Sequence, residues 1–432
     1  MRVPIINTDP EVLRVVSETF RSLGTPGGSG RSAHEQPFEP VPIGTHDQAI
    51  DYINYQMPAL ICINFSDPVL DGFGVMQRMV TDPWLNNGGV LALTRDAETY
   101  RRVDELRDSN ILISLFHGDL KSHLRTVLEV VAANQQILIQ RAIQSDLIST
   151  ISGQFTLGMD LRLVPCYANL IANYLHSMGF TDNEAKVRVT LALTEMLTNA
   201  IEHGNCGITA QQKTEYLEAH GNILGLIAQK CLDPEIARRT VFFSYEIERE
   251  HSRFVIRDQG QGFNWREYLC PTRESDPLSL HGRGVALAAQ SVARVEFNEE
   301  GNEARLRVQH RRPVSNTIPT VFQDNEVVEV QAQQVVFRQG EESSFLYYVA
   351  EGEYRVVVAQ RVVATIRPED VLMGEMSFLL EETRSATVIA NTPGRLIKIT
   401  KESFINGIRA QPYYGLFLAK LLARRLDQRN RV

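Results

Sequence analysis

Paired cysteines are missing from this chain. Its five cysteines, Cys62, Cys166, Cys206, Cys231 and Cys270, are odd in number and scattered, and no two form a CxxC pair. That argues against a disulfide framework and a zinc site, and it suits a reducing compartment. Also missing is any apolar run near the ~18 residues that a spanning helix needs. The start, MRVPIINTDP, has no basic-then-apolar leader pattern. The expectation is a cytoplasmic protein with no membrane partner. Positive charge is not in excess either: 44 basic residues face 52 acidic ones, for a net charge of −8. No strongly basic stripe appears, which argues against a general nucleic-acid-binding role. No repeat recurs at a period of about 20–50 residues. What is present is ordinary for globular chains, 43% hydrophobic and 22% charged residues over a length of 432. That length suits about two to four domains.

Residues 1–122 alternate short apolar runs with helical patterns. VPIIN (3–7), ALICIN (59–64), VLALT (90–94) and ILISLF (111–116) read as buried strands. Helical stretches fall near 11–23, 46–56, 72–80 and 96–107, and the Gly-, Ser- and Pro-rich stretch 25–40 reads as a long loop. Such alternation predicts a flavodoxin-like parallel sheet covered by helices. The spacing, with PVLDGFGVMQRM (68–79) after the third strand, resembles the receiver domain of response regulators. The resemblance places the family's acidic pair at Asn7 and Thr8, its phospho-acceptor at Asn64, its lysine near Leu115 and its switch hydroxyl at Thr94. Asp9 and Asp67 sit nearby, displaced from the positions that metal binding requires. It therefore implies a pseudo-receiver that serves as a scaffold or docking unit.

Residues 123–150 read as a connecting helix. Leu124, Leu128, Val131, Leu138 and Ala142 follow heptad-like spacing. Two outcomes stay open: a coiled coil in a homodimer, or packing against the same chain.

Residues 151–312 carry three polar signals in order. LALTEMLTNAIEHGN (191–205) scans as a helix, with Leu193, Leu197, Ala200 and Ile201 on an apolar stripe. Glu195 and Asn199 lie one turn apart on the opposite face, with Glu202 and His203 following along it, and Gly204 reads as the helix stop. A carboxylate beside a carboxamide suits a Mg²⁺–phosphate site, where Asn199 offers a neutral oxygen and Glu195 can orient or deprotonate a nucleophile. Asp258, Gly260 and Gly262 follow a strand end, and Gly282, Arg283 and Gly284 open an apolar helix. Glycines before a helix let backbone N–H groups close on phosphate oxygens. An aspartate at a strand end can accept the exocyclic amine of a base.

In this order the three signals resemble the N-box (195–203), G1 box (258–263) and G2 box (282–288) of the GHKL ATPases. The anti-sigma-factor serine kinases are the nearest group by this resemblance. It implies a GHKL α/β sandwich that binds ATP. Asn199 would ligate Mg²⁺, Glu195 would be the catalytic base or its positioner, Asp258 would read adenine, and Gly260, Gly262, Gly282, Arg283 and Gly284 would frame the lid and phosphates. His203 is either a phosphate contact or a structural histidine. No histidine-bearing helix of the sensor-kinase type precedes the fold, which points to transfer onto a serine or threonine of a partner. Residues 206–238 form an insertion next to the expected site mouth.

Residues 313–432 open with a linker (311–319) and continue as short β-branched runs, the pattern of a β-roll, before an amphipathic helix at 412–429. Gly374 and Glu375 open a short helix, and Arg384 and Ser385 follow ten positions later. An arginine fork matches a phosphodiester, and a carboxylate can bind a ribose hydroxyl. The stretch resembles the phosphate-binding cassette of cyclic-nucleotide-binding domains. That implies Arg384 on the cyclic phosphate, Glu375 on the 2′-hydroxyl, donors near Gly374 and Ser385, and cAMP or cGMP as ligand. No helix-turn-helix follows, so direct DNA binding is not expected. The composite expectation is an ATP-dependent protein serine/threonine kinase under cyclic-nucleotide control. Its partner would be a STAS-type antagonist or a sigma factor. The alternative is a non-catalytic, nucleotide-gated binding protein.

Overall fold

The structure is a computed structural model that describes residues 1–23, 38–81, 88–106, 109–138, 150–248, 250–263, 265, 294–310, 316 and 318–430. The chain divides into two compact units. One comprises Met1–Ala49, Pro58–Phe73 and Gly88–Arg311, and the other Ile50–Met57, Gly74–Asn87 and Arg312–Val432.

The N-terminal elements are β1 (Arg2–Ile6), α1 (Pro10–Ser22), β2 (Glu39–Ile43), α2 (His46–Gln56), β3 (Leu60–Asn64), α3 (Gly72–Thr81), β4 (Gly89–Thr94), α4 (Ala97–Asp104), β5 (Ile111–Phe116) and α5 (Leu120–Ala133). The strands form one parallel sheet in the order β2-β1-β3-β4-β5. This sheet fits a receiver-like fold. β3 and β4 are buried at every position, as expected where a sheet is covered on both faces. Asp9 caps α1 by accepting the N–H groups of Glu11 and Val12, and Pro10 follows at the first helical position.

Two sequence expectations change here. The loop drawn over 25–40 hides the start of β2, whose two prolines disguise it. Prolines are tolerated because β2 is an edge strand, paired only with β1. The heptad-spaced Leu124, Leu128 and Val131 belong to α5, where they are buried in the chain's own core, and α5 packs on α1. They are spent in cis and do not form an exposed coiled-coil seam. Leu138 is buried as well, and Ala142 lies outside the described residues.

The next elements are β6 (Thr150–Leu157), α6 (Val164–Ser177), α7 (Asn183–Asn199), a π-helical turn (Ala200–Asn205), α8 (Ala210–His220), α9 (Leu224–Lys230), α10 (Pro234–Arg238), β7 (Val241–Glu248), β8 (His251–Arg257), β9 (Arg294–Phe297) and β10 (Glu303–Gln309). The strands build an antiparallel sheet in the order β6-β7-β8-β10-β9. β7 alternates strictly, with Val241, Phe243, Tyr245 and Ile247 facing the core.

α6 also covers the free edge of the first sheet. Asn169 donates to the Leu112 carbonyl at 3.1 Å, and Asn173 donates to that of Ile111 at 3.4 Å. Side-chain amides thus satisfy edge carbonyls that would otherwise invite another strand. Lys186 of α7, 4% exposed, donates to the Ser109 carbonyl at 2.7 Å. His123 of α5 pairs with Asp160 at 2.7 Å. One hydrophobic cluster joins described residues of both sheets and their helices, from Val3 to Val308.

The remaining elements are β11 (Glu326–Val330), β12 (Val335–Phe337), β13 (Phe345–Val349), β14 (Tyr354–Val358), β15 (Arg361–Ile366), β16 (Leu372–Met373), α11 (Glu375–Leu380), β17 (Thr387–Ala390), β18 (Gly394–Thr400), α12 (Lys401–Ala410) and α13 (Tyr413–Asn430). Two four-stranded sheets, β11-β18-β13-β16 and β12-β17-β14-β15, enclose a core that includes Phe337, Val349, Tyr354, Val388 and Leu396. Among the described residues no helix is long and apolar enough to cross a membrane.

Candidate functional site

The polar helix runs further than its glycine suggested. α7 passes into the π turn, and Gly204 lies inside that turn rather than ending it. The wider turn changes which residues face out, and such turns recur at functional sites. Glu195 and Asn199 stay half-exposed on one face, with the Asn199 amide donating to Glu195 Oε1 at 3.3 Å. Glu202 does not continue that face. It is 2% exposed, and the Lys213 ammonium of α8 lies 2.6 Å from its Oε2. The contact is an ion pair. His203 is exposed, and its Nδ1 donates to the Ile208 carbonyl at 2.6 Å. That bond ties it to the start of the insertion.

Asp258 follows β8 and meets the end of the polar helix. A Cβ on Gly204 would lie 2.3 Å from Asp258 Cγ, and one on Gly260 would lie 2.1 Å from the Gly204 carbonyl oxygen. Only glycine at both positions allows this approach. Gly260 N–H donates to Asp258 Oδ1 at 2.8 Å. Burial pushes the Asp258 carboxyl up to about 6, against the opposing pull of the Gly260 N–H and the Arg239 charge. Gly262, at φ +77°, packs under the Glu300 carbonyl, where a Cβ would sit at 1.9 Å. The β9–β10 turn is thereby closed onto the segment after Asp258. Gly282, Arg283 and Gly284 lie outside the described residues.

Asn205 was not singled out in the sequence. It is fully buried, and its Oδ1 accepts the Gln259 N–H at 2.8 Å. A buried amide at the end of a polar helix is the signal that could have drawn notice, but burial is not visible in a string of letters.

At the C-terminal ends of β1 and β3 the expected acidic site is an asparagine cluster. Asn64 donates to Asn7 Oδ1 at 2.7 Å, and Asn7 donates to the Asp9 carbonyl at 2.7 Å. The residue that reaches Asn64 from the end of β5 is His117, 3.2 Å from Asn64 Oδ1. The position expected near Leu115 is a core position, with Leu115 buried. Burial and then the Arg95 charge depress the His117 pKa. Asp67 is committed to Thr8 and to the N–H groups of Val69 and Leu70. Those donors outweigh burial and hold its carboxyl below the usual range. Asp9 caps α1 and pairs with Arg95. Thr94 is buried.

In the C-terminal unit Gly374, at φ +79°, caps α11, and Glu375 is buried. Arg384, 2% exposed, donates through Nη1 to the Gly374 carbonyl at 3.0 Å and through Nη2 to that of Phe345 at 2.6 Å. Its guanidinium lies over the Phe337 ring at 4.3 Å. Its Nε–H is buried without an acceptor among the described residues. A Cβ on Gly374 would lie 2.5 Å from Arg384 Nη1, so the glycine makes room for the fork. Ser385 is exposed.

These two regions coincide with two family models. Residues 160–308 match the histidine kinase-like ATPase domain, and residues 327–411 match the cyclic nucleotide-binding domain. The chain therefore combines an ATPase-type domain with a cyclic-nucleotide-binding domain. It is 38% identical over 98 residues to the cyclic AMP receptor protein of Thermus thermophilus, covering 22% of this chain and 45% of that one. It is 33% identical over 103 residues to the Pycsar effector protein PaPycTIR of Pseudomonas aeruginosa, covering 24% and 33%. The chain spans less than half the length of either relative. Among solved structures, the Thermus thermophilus catabolite activator protein is similar at 31% identity and a TM-score of 0.24, covering 26% of this chain and 54% of that one.

Proposed function

We propose that this chain is a cyclic-nucleotide-regulated, ATP-dependent protein kinase of the anti-sigma-factor type. Its acceptor is a serine or threonine of a STAS-type antagonist, or it sequesters a sigma factor. The observation that carries the reading is the closure of the Glu195–Asn199 helix onto Asp258 through Gly204 and Gly260. That closure supports reading Asp258 as the base-side carboxylate and Glu195 with Asn199 as the phosphate-side pair of one site.

The residues fit Mg²⁺. Asn199 spends its amide nitrogen on Glu195, which presents its carbonyl oxygen as the remaining donor of a lone pair. Bound Mg²⁺ would neutralise charge on the phosphates, the main requirement of phosphoryl transfer. Glu195 orients or deprotonates the incoming hydroxyl. Asp258, when ionised, accepts the adenine amine, and Gly260 holds its other side. The sequence resemblance assigns Gly282, Arg283 and Gly284 to the phosphates.

The C-terminal unit takes cAMP or cGMP. The Nε–H of Arg384, without an acceptor among the described residues, supports an anionic ligand there, with Glu375 on the ribose and Gly374 and Ser385 nearby. The receiver-like sheet is a scaffold, a reading supported by its asparagine cluster. The protein is cytoplasmic and homodimeric in this reading.

Incubation with γ-labelled ATP, candidate STAS proteins and either cyclic nucleotide tests it. Label on the partner that changes with cyclic nucleotide supports the kinase. Tight ATP binding without transfer to any partner favours a nucleotide-gated binding protein. The clamp of the insertion on the helix through Glu202 and Lys213 suits that second reading.

A further inference from the structure

Asn205 has no part in the chemistry just described, yet it contacts residues from three segments around Asp258. Its Oδ1 accepts the Gln259 N–H at 2.8 Å, and its backbone carbonyl accepts Arg239 Nη1 at 2.7 Å. Its amide nitrogen lies 3.6 Å from the sulfur of Met159, just past the end of β6. Gln259 is held a second time, since its side-chain oxygen accepts the Thr240 N–H at 2.8 Å. The Asp258 N–H is fixed by the Asn302 carbonyl at 3.0 Å. The peptide planes on both sides of Asp258 are therefore pinned, one by the β9–β10 turn and the other by Asn205. The carboxylate that remains rests on the Cα of Gly204, the residue next to Asn205.

We propose that Asn205 is a positioning residue for Asp258: by fixing the peptide plane after Asp258, it sets where the carboxylate lies and hence how well the site prefers adenine over guanine. The inference rests on Asp258 as the acceptor of the adenine amine. Adenine offers an amine donor where guanine offers a carbonyl acceptor, so a carboxylate at the right place accepts from one and repels the other. Displaced, it loses that distinction. A neutral amide also suits the position. It supplies an acceptor to Gln259 without placing a second carboxylate beside Asp258, which would raise the proton affinity of Asp258.

The test uses the full chain with fluorescent ATP and GTP analogues, titrated from about pH 5 to about pH 8, across the range where Asp258 changes charge. Asp258→Asn is the control for the underlying reading; if it keeps the ATP-over-GTP preference, Asp258 does not read the base and the positioning role falls with it. Given loss of preference in that control, Asn205→Ala is expected to cut the preference about tenfold, since the Gln259 N–H beside Asp258 loses the acceptor that fixes its peptide plane. Asn205→Asp keeps the acceptor. It is expected to retain the preference at high pH and to move the pH at which ATP binding is lost upward. A folded Asn205→Ala with the original preference and pH profile overturns the positioning role while leaving the base reading intact. If Asn205→Ala does not fold, Asn205→Asp decides, and an unmoved pH profile overturns the proposal.

Discussion

Gly204 provides the floor on which the Asp258 carboxylate lies, with space for no side chain: a Cβ there would sit 2.3 Å from Asp258 Cγ. Gly204→Ala is therefore expected to push Asp258 aside. It should cost about 1–3 kcal/mol of stability, as overpacking does, and weaken ATP binding about tenfold or more. Calorimetric titration with ATP and thermal unfolding check both effects. Unchanged affinity in a folded variant would remove this contact from the nucleotide site.

Asp258 should also show a trade between stability and binding. Burial raises its carboxyl from 3.8 to about 6 in the folded chain. The folded chain thus holds a proton to higher pH than the unfolded chain does. The resulting stability is complete below about 3.8 and is lost as the pH rises through about 6. Asp258→Asn never ionises and can still accept the Gly260 N–H. It is expected to raise the melting temperature above about pH 7 and to change it little near about pH 4, while losing ATP. Melting curves across that range decide it.

Restoring the missing aspartate should not restore phosphorylation to the first sheet. Asn64→Asp removes the amide that donates to Asn7 Oδ1, and Asn7 and Thr8 supply no acidic pair for a metal. The variant is expected to be less stable by about 1–3 kcal/mol, the cost of an unpaired buried polar group, and to take no label from acetyl phosphate with Mg²⁺. Stoichiometric labelling would show that the site retains its chemistry.

Lys186 joins the α7 helix to the first sheet through the Ser109 carbonyl. Lys186→Met keeps the length of the side chain and removes the donor. A loss of about 1–3 kcal/mol is expected, seen as a lower urea midpoint with an unchanged slope. No loss would mean that the carbonyl finds another donor at no cost.

Arg384 is held by two backbone carbonyls and a ring face, and Gly374 makes room for it. Arg384→Gln should leave both carbonyls short of donors, lower the stability of the C-terminal unit by about 1–3 kcal/mol and abolish cyclic-nucleotide binding. Binding of fluorescent cAMP and cGMP measures the second effect. Retained binding would place the phosphate elsewhere.

Much of the framework was legible in the letters because it follows from local periodicity. Apolar runs bounded by polar turns announced β1, β3, β4 and β5. Glu195 and Asn199 share a helix face by spacing alone, and the run from Gly374 to Ser385 lies within the matched cyclic nucleotide-binding domain. What failed were features that depend on a neighbour. β2 was hidden because its prolines are acceptable only at a sheet edge, and edge status is a property of pairing. His117, not Leu115, reaches Asn64, because Leu115 is buried in the core while His117 lies in the turn just past the strand end.

The sequence by itself determined the order of elements, the residue types in each polar cluster and the glycines that separate them. Tertiary structure decided which of those residues meet. The π turn sent Glu202 inward to Lys213 and left His203 outside, because a wider turn rotates the face that follows it. Asn205 and Asp258 are 53 positions apart in the chain. Their relation exists only where β8 ends against that turn, and two absent side chains, at Gly204 and Gly260, allow the distance between them to close.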